Sequence, residues 1–290
     1  MLTSTDASIF EINPKKIVYP KDRNDLISVI RNILSDKKPF TMRAGGTSIG
    51  GQAIGSGVLV DISKHLNNII DFFEDRKEII VEPGVIQDDL NLFLQSYNLK
   101  FAPDTSTSNR AMIGGMIGNN SCGSYSIFYG TTRDHVKSIE VILSDGSLVE
   151  FKELTEKELD DKLSMQTLEG DIYRFVINLL NNNQQEILDA FPDESLIRRN
   201  TGYALDELIR KYKPFNKNGK CFNLASLICG SEGTLGVIVS ATLNLVNLPK
   251  HKELIVAHFS SDEQSLNLVR DLVKLNPSAV EYIDKPTLDA

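Results

Sequence analysis

Apolar residues recur along this chain with two different periods, and the alternation between them outlines a mixed α and β protein. Leu26, Val29, Ile30, Ile33 and Leu34 repeat at helical spacing after the extended lead-in Lys15–Pro20, which predicts an amphipathic helix. Ile86, Leu90, Phe93, Leu94 and Tyr97 predict a second, and Ile172, Phe175, Val176, Leu179 and Leu180 form the clearest stripe in a polar, mainly helical stretch from 152 to 225. Val58–Ile62 and Glu78–Glu82 read as strands, the latter closed by Pro83-Gly84. Ile139–Leu143 and Leu148–Phe151 flank Ser144-Asp145-Gly146-Ser147, a hairpin signal at which an antiparallel sheet begins. Val237–Leu245 predicts a long strand; after Pro249 come one strand, a helix around Leu266, Leu268, Val269, Leu272 and Val273, and a strand around Ala279–Ile283.

The pattern divides the chain into a first α/β subdomain over 14–100, a second over 101–248, and half of a further small α/β domain over 249–290. That last piece would end on an edge strand with an open side, so the chain is expected to continue in the native protein.

Composition narrows the function classes. The 290 residues are 41% hydrophobic and 24% charged, with a formal net charge of -8, enough for a sizeable core and the wrong sign for a nucleic-acid partner. No apolar run approaches the span of a bilayer and the start, Met1-Leu2-Thr3-Ser4-Thr5-Asp6, lacks basic and apolar leader regions, so a cytoplasmic protein is expected. Cys122, Cys221 and Cys229 show no CxxC spacing, which indicates neither a disulfide framework nor a metal or iron–sulfur site within the chain.

Candidate chemistry lies in three glycine-rich segments. Arg43-Ala44-Gly45-Gly46-Thr47-Ser48-Ile49-Gly50-Gly51 follows the apolar Pro39–Met42. It is either a tight turn between strands or a concavity of amides for an anion such as a pyrophosphate, with Arg43 beside it. Residues 101–135 are rich in Gly, Ser, Asn and Thr yet interleaved with Met112, Ile113, Met116, Ile117, Ile127 and Phe128, a long structured loop rather than a linker. Gly230-Ser231-Glu232-Gly233-Thr234-Leu235-Gly236 is the third. Neither GxGxxG nor GxxxxGK[ST] occurs. Three separate loops suit one long, polar cofactor with a pyrophosphate in its middle and a flat ring at one end.

Five segments in register carry a resemblance: 43–48, Pro103–Ser108, Ile113–Ser124, Tyr129–Val136 and Gly230–Gly236. They resemble the FAD-binding domain of the vanillyl-alcohol oxidase type, in the branch of D-lactate dehydrogenases, the flavin-binding chains of glycolate oxidases and D-2-hydroxyglutarate dehydrogenases. The resemblance spans about 14–290. It implies an α+β fold in which residues 1–248 are a two-subdomain FAD-binding domain and 249–290 start a ferredoxin-like substrate cap, incomplete in this chain.

Carried over residue by residue, it implies that Arg43, Gly45, Gly46, Thr47 and Ser48 wrap the pyrophosphate. Pro103, Asp104, Thr105, Ser106, Gly114, Gly115, Gly118, Asn119, Ser121, Cys122 and Gly123 would line the rest of the cofactor, with Tyr129, Gly130, His135, Val136, Glu232, Gly233, Gly236 and Ile238 completing the site. Thr47 stands where relatives that bind flavin covalently often carry histidine, which implies non-covalent FAD.

The implied reaction is oxidation of a D-2-hydroxy acid, with hydride passing to flavin and a base taking the hydroxyl proton. Arg199 is the candidate for the substrate carboxylate and Tyr203 for the same ligand; the plainer readings are a solvated arginine and a core tyrosine. His135 is placed as a cofactor-positioning residue rather than a general base, and Cys122 as a small residue packed by the flavin. Metal ligands and the base histidine of metal-using relatives lie in the later cap, beyond Ala290, so no catalytic base or metal site is assigned within the chain. The electron acceptor, or an attached iron–sulfur module, lies outside it. A flavin oxidase of sugars or aldonolactones on the same fold, and an FAD-holding module inactive alone within a larger electron-transfer protein, are the alternatives.

Overall fold

The computed structural model describes residues 3–196 and 202–289. Its first layer is a parallel sheet of β1 (Lys16–Val18), β2 (Phe40–Arg43) and β3 (Val58–Asp61) in the order β1-β3-β2. Helix α1 (Arg23–Ser35) connects the first two strands. Asp22 caps it by accepting a hydrogen bond from the Asp25 amide, and Leu26, Ile27, Ile30 and Ile33 are its buried face. That face packs on Val58, Val60 and Ile62 and also on Ile142, Val237 and Val239, so α1 is held between the two layers. Arg23 reinforces the junction through Glu140 at 2.8 Å.

The second layer is a five-stranded antiparallel sheet, β4-β5-β9-β7-β8, in chain terms Ile69–Phe73, Glu78–Val81, Val237–Asn244, Val136–Ile142 and Leu148–Lys152. Between β5 and β7 the chain forms α2 (Gln87–Gln95), the two-residue β6 (Leu99–Lys100), α3 (Ile113–Asn119), α4 (Ser126–Tyr129) and a 3-10 turn at Thr132–His135. Helices α5 (Glu156–Ser164), α6 (Leu168–Ala190), α7 (Leu205–Lys211) and α8 (Ala225–Ile228) fill the long excursion before β9, and β10 (Val246–Asn247) returns to pair with β6. One core joins these parts, with Ile79, Val81, Ile139, Val141, Ala241 and Leu243 of the sheet packed with Ile113, Met116, Tyr173 and Leu180.

Three local expectations change. Strands β4 and β5 fall within 14–100 in the sequence, yet β5 pairs with β9, so the sheets divide the chain near residue 62 rather than 100. The glycine run 113–118, read as loop, is helical, because the first amides of α3 are taken up by the Val85 carbonyl at 2.9 Å and the Pro83 carbonyl at 2.7 Å. Beyond Pro249 only α9 (Asp262–Val273) and the single turn α10 (Lys285–Leu288) form among the described residues. Residues 251–259 and 279–283 have the expected apolar content but no strand beside them, and Leu254 and Ile255 are 88% and 89% exposed. Without a partner strand, extended chain has nowhere to place its amides except in water.

Candidate functional site

The first glycine loop leaves the C-terminal end of β2, the edge at which open parallel sheets present ligand-binding loops. Gly46 has φ +62, and a Cβ on it would stand 2.9 Å from the guanidinium carbon of Arg43. The arginine therefore lies flat against the glycine, anchored by donation to the Ala53 carbonyl at 3.1 Å. The consecutive amides of Gly45, Gly46, Thr47 and Ser48 donate to no acceptor among the described residues. Four adjacent free N–H groups beside a guanidinium form a nest for an anion.

Helix α3 forms the floor. Gly115 faces Ala44, whose Cβ lies 3.6 Å from where its own would be; Gly118, one turn on along the same face, has nothing within 4 Å. The third loop docks on the far end of this helix, with Gly230 donating to the Ile117 carbonyl at 3.0 Å and Glu232 to the Gly118 carbonyl at 2.7 Å. Gly233 also faces open space, with nothing within 4 Å of a Cβ position. Finally, Gln52 donates to Glu232 at 3.2 Å and brings the first loop to the third. Segments that are 180 residues apart in sequence thus meet beside the glycine face of α3, and the open space in front of Gly118 and Gly233 is the candidate groove.

The remaining candidates stand around it. Buried Gln87 donates to the Pro103 carbonyl and accepts from Thr105 at 3.0 Å, which fixes 103–105, while Ser106 beside them is exposed. Asp104 accepts the Tyr125 amide at 3.1 Å and packs against the Gly123 backbone. Asn119 accepts from Ser121 at 2.6 Å, and Cys122 is half-buried. Gly45, Gly114, Gly123 and Gly236 are glycines for another reason: a Cβ on them would collide with Arg110, Pro83, Asp104 and Val141 respectively. Gly130 adjoins Asp134, and Val136 and Ile238 are half-buried in β7 and β9.

His135 is buried, edge-on to Phe101, with Nε2 2.7 Å from the Tyr129 carbonyl. Since a carbonyl only accepts, Nε2 carries the proton, and buried Nδ1 makes no hydrogen bond of normal geometry among the described residues. Burial pushes the pKa of this histidine down, against the opposing pull of the Tyr129 carbonyl and Asp134. It holds the Tyr129 turn in place. Tyr203 meets the third loop, hydroxyl to hydroxyl with Thr234 at 2.8 Å, so it stands at the rim rather than in the core. Arg199, with Arg198, lies outside the described residues.

A cavity of about 750 Å³, walled by Asn120, Tyr129, Arg133, Asp134, Leu196 and Lys211 among others, takes Tyr129 and Gly130 from the candidate set but nothing from 43–52 or 230–236. The free amides of 45–48 and the open faces of Gly118 and Gly233 all lie outside this cavity. Gln52 and Gln87 were missed by sequence reasoning; a polar residue directly after the paired glycines Gly50-Gly51 was the available signal for the first.

A parallel layer and an antiparallel layer around a glycine-floored groove is the architecture of the two-subdomain FAD-binding flavoproteins. Residues 14–152, just under half of the chain, match the FAD binding domain family, which gives FAD as the cofactor. The chain is 35% identical over 289 residues to D-2-hydroxyglutarate dehydrogenase of Escherichia coli, covering 99% of itself and 28% of that protein. It is 27% identical over 282 residues to glycolate oxidase subunit GlcD of Bacillus subtilis, covering 96% and 47%. A solved structure of alkyldihydroxyacetonephosphate synthase shares the fold with a TM-score of 0.59 at 14% identity, over 91% of this chain and 38% of that one.

The groove fits FAD on its own evidence. Free amides beside Arg43 match a diphosphate, and the space fronting Gly118 and Gly233 is open to a ligand. Among the described residues no group of three or more His, Cys, Asp or Glu could hold a metal ion. No helix among them is long and apolar enough to cross a membrane.

Proposed function

We propose that this chain is the FAD-holding part of a dehydrogenase that oxidises a D-2-hydroxy acid, of the D-lactate, glycolate or D-2-hydroxyglutarate class, to the 2-oxo acid. The observation that carries it is the run of free amides from Gly45 to Ser48 next to a helix whose glycine side is open. The names of the two relatives given above support the glycolate and D-2-hydroxyglutarate members of that class. When bound, FAD accepts two electrons from the substrate.

The chain's own residues have distinct tasks. Arg43 and the amides of Gly45, Gly46, Thr47 and Ser48 hold the diphosphate. Gly115, Gly118, Glu232 and Gly233 shape the channel beside it, and Gln87 keeps Pro103, Asp104 and Thr105 in line with Gly123. Thr47 offers no ring nitrogen for a flavin bond, so the cofactor is held non-covalently. Tyr203 presents its hydroxyl at the rim beside Thr234, where a substrate carboxylate would approach; Arg199 is assigned the same ligand. Electrons leave to an acceptor outside this chain. The chain spans only 28% of the length of the Escherichia coli relative, so cofactor binding and turnover are tested separately.

The test is an absorption spectrum of the purified chain, followed by one of the supernatant after acid precipitation. A yellow protein that releases free FAD is expected. Anaerobic addition of D-lactate, glycolate and D-2-hydroxyglutarate to the whole protein then tests bleaching. A colourless chain that takes up no added FAD would overturn the cofactor assignment, and a yellow whole protein that no hydroxy acid bleaches would overturn the substrate class.

A further inference from the structure

Gln52 occupies a position that the binding site does not need for contact with phosphate. Its side chain folds back over Gly50, where an added Cβ would stand 2.8 Å from Nε2 and 2.9 Å from Oε1. The carboxamide oxygen accepts from the Ser48 hydroxyl, and the nitrogen donates to the Glu232 carboxylate at 3.2 Å. Ser48 ends the run of free amides; Glu232 is fixed by its own amide on Gly118 and precedes the open Gly233. Among the described residues, this is the one side-chain hydrogen bond between the first and third glycine loops.

We infer that Gln52 is a latch across the mouth of the cofactor groove, a positioning residue that sets the rate of FAD exchange rather than the strength of binding. The inference rests on the groove being the FAD site. All three partners lie at the surface, where side chains change rotamer on the picosecond to nanosecond scale. A single bond from an amide to a carboxylate is closed most of the time yet opens readily. Closed, it spans the groove from lip to lip; open, it frees both loops. Because the bond forms with and without cofactor, it lowers entry and exit by the same factor and leaves the ratio of the two unchanged.

The test uses the full chain, stripped of FAD and reloaded, with association and release followed by flavin fluorescence. Gln52→Ala is expected to raise both rate constants together, by about three- to tenfold for one such bond, with Kd and the melting temperature of the stripped protein unmoved. Gln52→Glu sets two carboxylates face to face and is expected to do the same. Combining Gln52→Glu with Glu232→Gln restores a donor and an acceptor in reversed order at the net charge of the parent, and is expected to slow both rates again. Unchanged rates in Gln52→Ala, a rise in release alone, or no recovery in the double variant would overturn the latch while leaving the site intact. Failure of the parent chain to take up FAD would overturn the site and the latch with it.

Discussion

The Arg133 guanidinium donates to the carbonyl of Cys229 at 2.6 Å, joining the turn after α4 to the last residue before the third glycine loop. The same side chain reaches the Ser226 carbonyl at 3.0 Å, and its amide donates to Asn120 at 2.8 Å. One arginine therefore fixes the end of α3, the turn at 132–135 and the entry to Gly230. Arg133→Lys, which offers no planar fork, is expected to destabilise the protein by about 1.5–3 kcal/mol. Urea unfolding with and without FAD checks this; loss of stability in the stripped protein separates it from a cofactor effect.

Gly118→Leu tests the groove without testing the fold. Its Cβ meets nothing within 4 Å, and leucine favours a helix over glycine by about 0.5–1 kcal/mol. The melting temperature of the stripped variant should hold or rise while FAD binding is lost. Gly46→Val should also lose FAD, but with a cost in stability of about 1–3 kcal/mol, because a branched residue at φ +62 is strained and collides with Arg43.

Tyr173 sits between Phe151 and Phe222 with its hydroxyl buried and without a hydrogen-bond partner among the described residues. Removing an unsatisfied buried hydroxyl relieves its desolvation cost. Tyr173→Phe is therefore expected to stabilise the chain by about 1–2 kcal/mol, read by chemical denaturation.

His135 gives stability a pH dependence of known sign. Its folded pKa is depressed below the ordinary 6.5 by burial, so the unfolded chain takes up the proton first. The stabilisation is complete above 6.5 and is lost as pH falls from there towards the folded value, with a slope of at most about 1.4 kcal/mol per pH unit. His135→Gln, which keeps a donor for the Tyr129 carbonyl, should lose that part of the slope while acidic residues retain theirs.

What the sequence disclosed depended on how local the cause was. The α1 stripe, the hairpin at Asp145-Gly146 and the β-branched run of β9 were legible because their residues bear their own periodicity or turn chemistry. The helix over Gly114, Gly115 and Gly118 was not, since glycine disfavours helices and the stabilising carbonyls come from Pro83 and Val85. β4 escaped because Asp71 interrupts a half-exposed strand whose pairing is set by β5. In the site, glycine spacing pointed to the three loops. Their meeting through Gln52 and Glu232 is a tertiary fact that no spacing encodes.

The place of β9 at the centre of the antiparallel sheet sets a schedule for biosynthesis. Until residues 237–244 emerge, β4–β5 and β7–β8 are two separate hairpins, each with a bare edge that β9 will later occupy. The nascent chain must carry those edges through residues 153–236, roughly 4–17 s at about 5–20 residues per second. A protein cut or stalled in that interval would display Ile79 and Val81 on one hairpin and Ile139 and Val141 on the other, strand edges ready to pair with those of another chain. Until β9 arrives, nothing in the fold itself covers those edges.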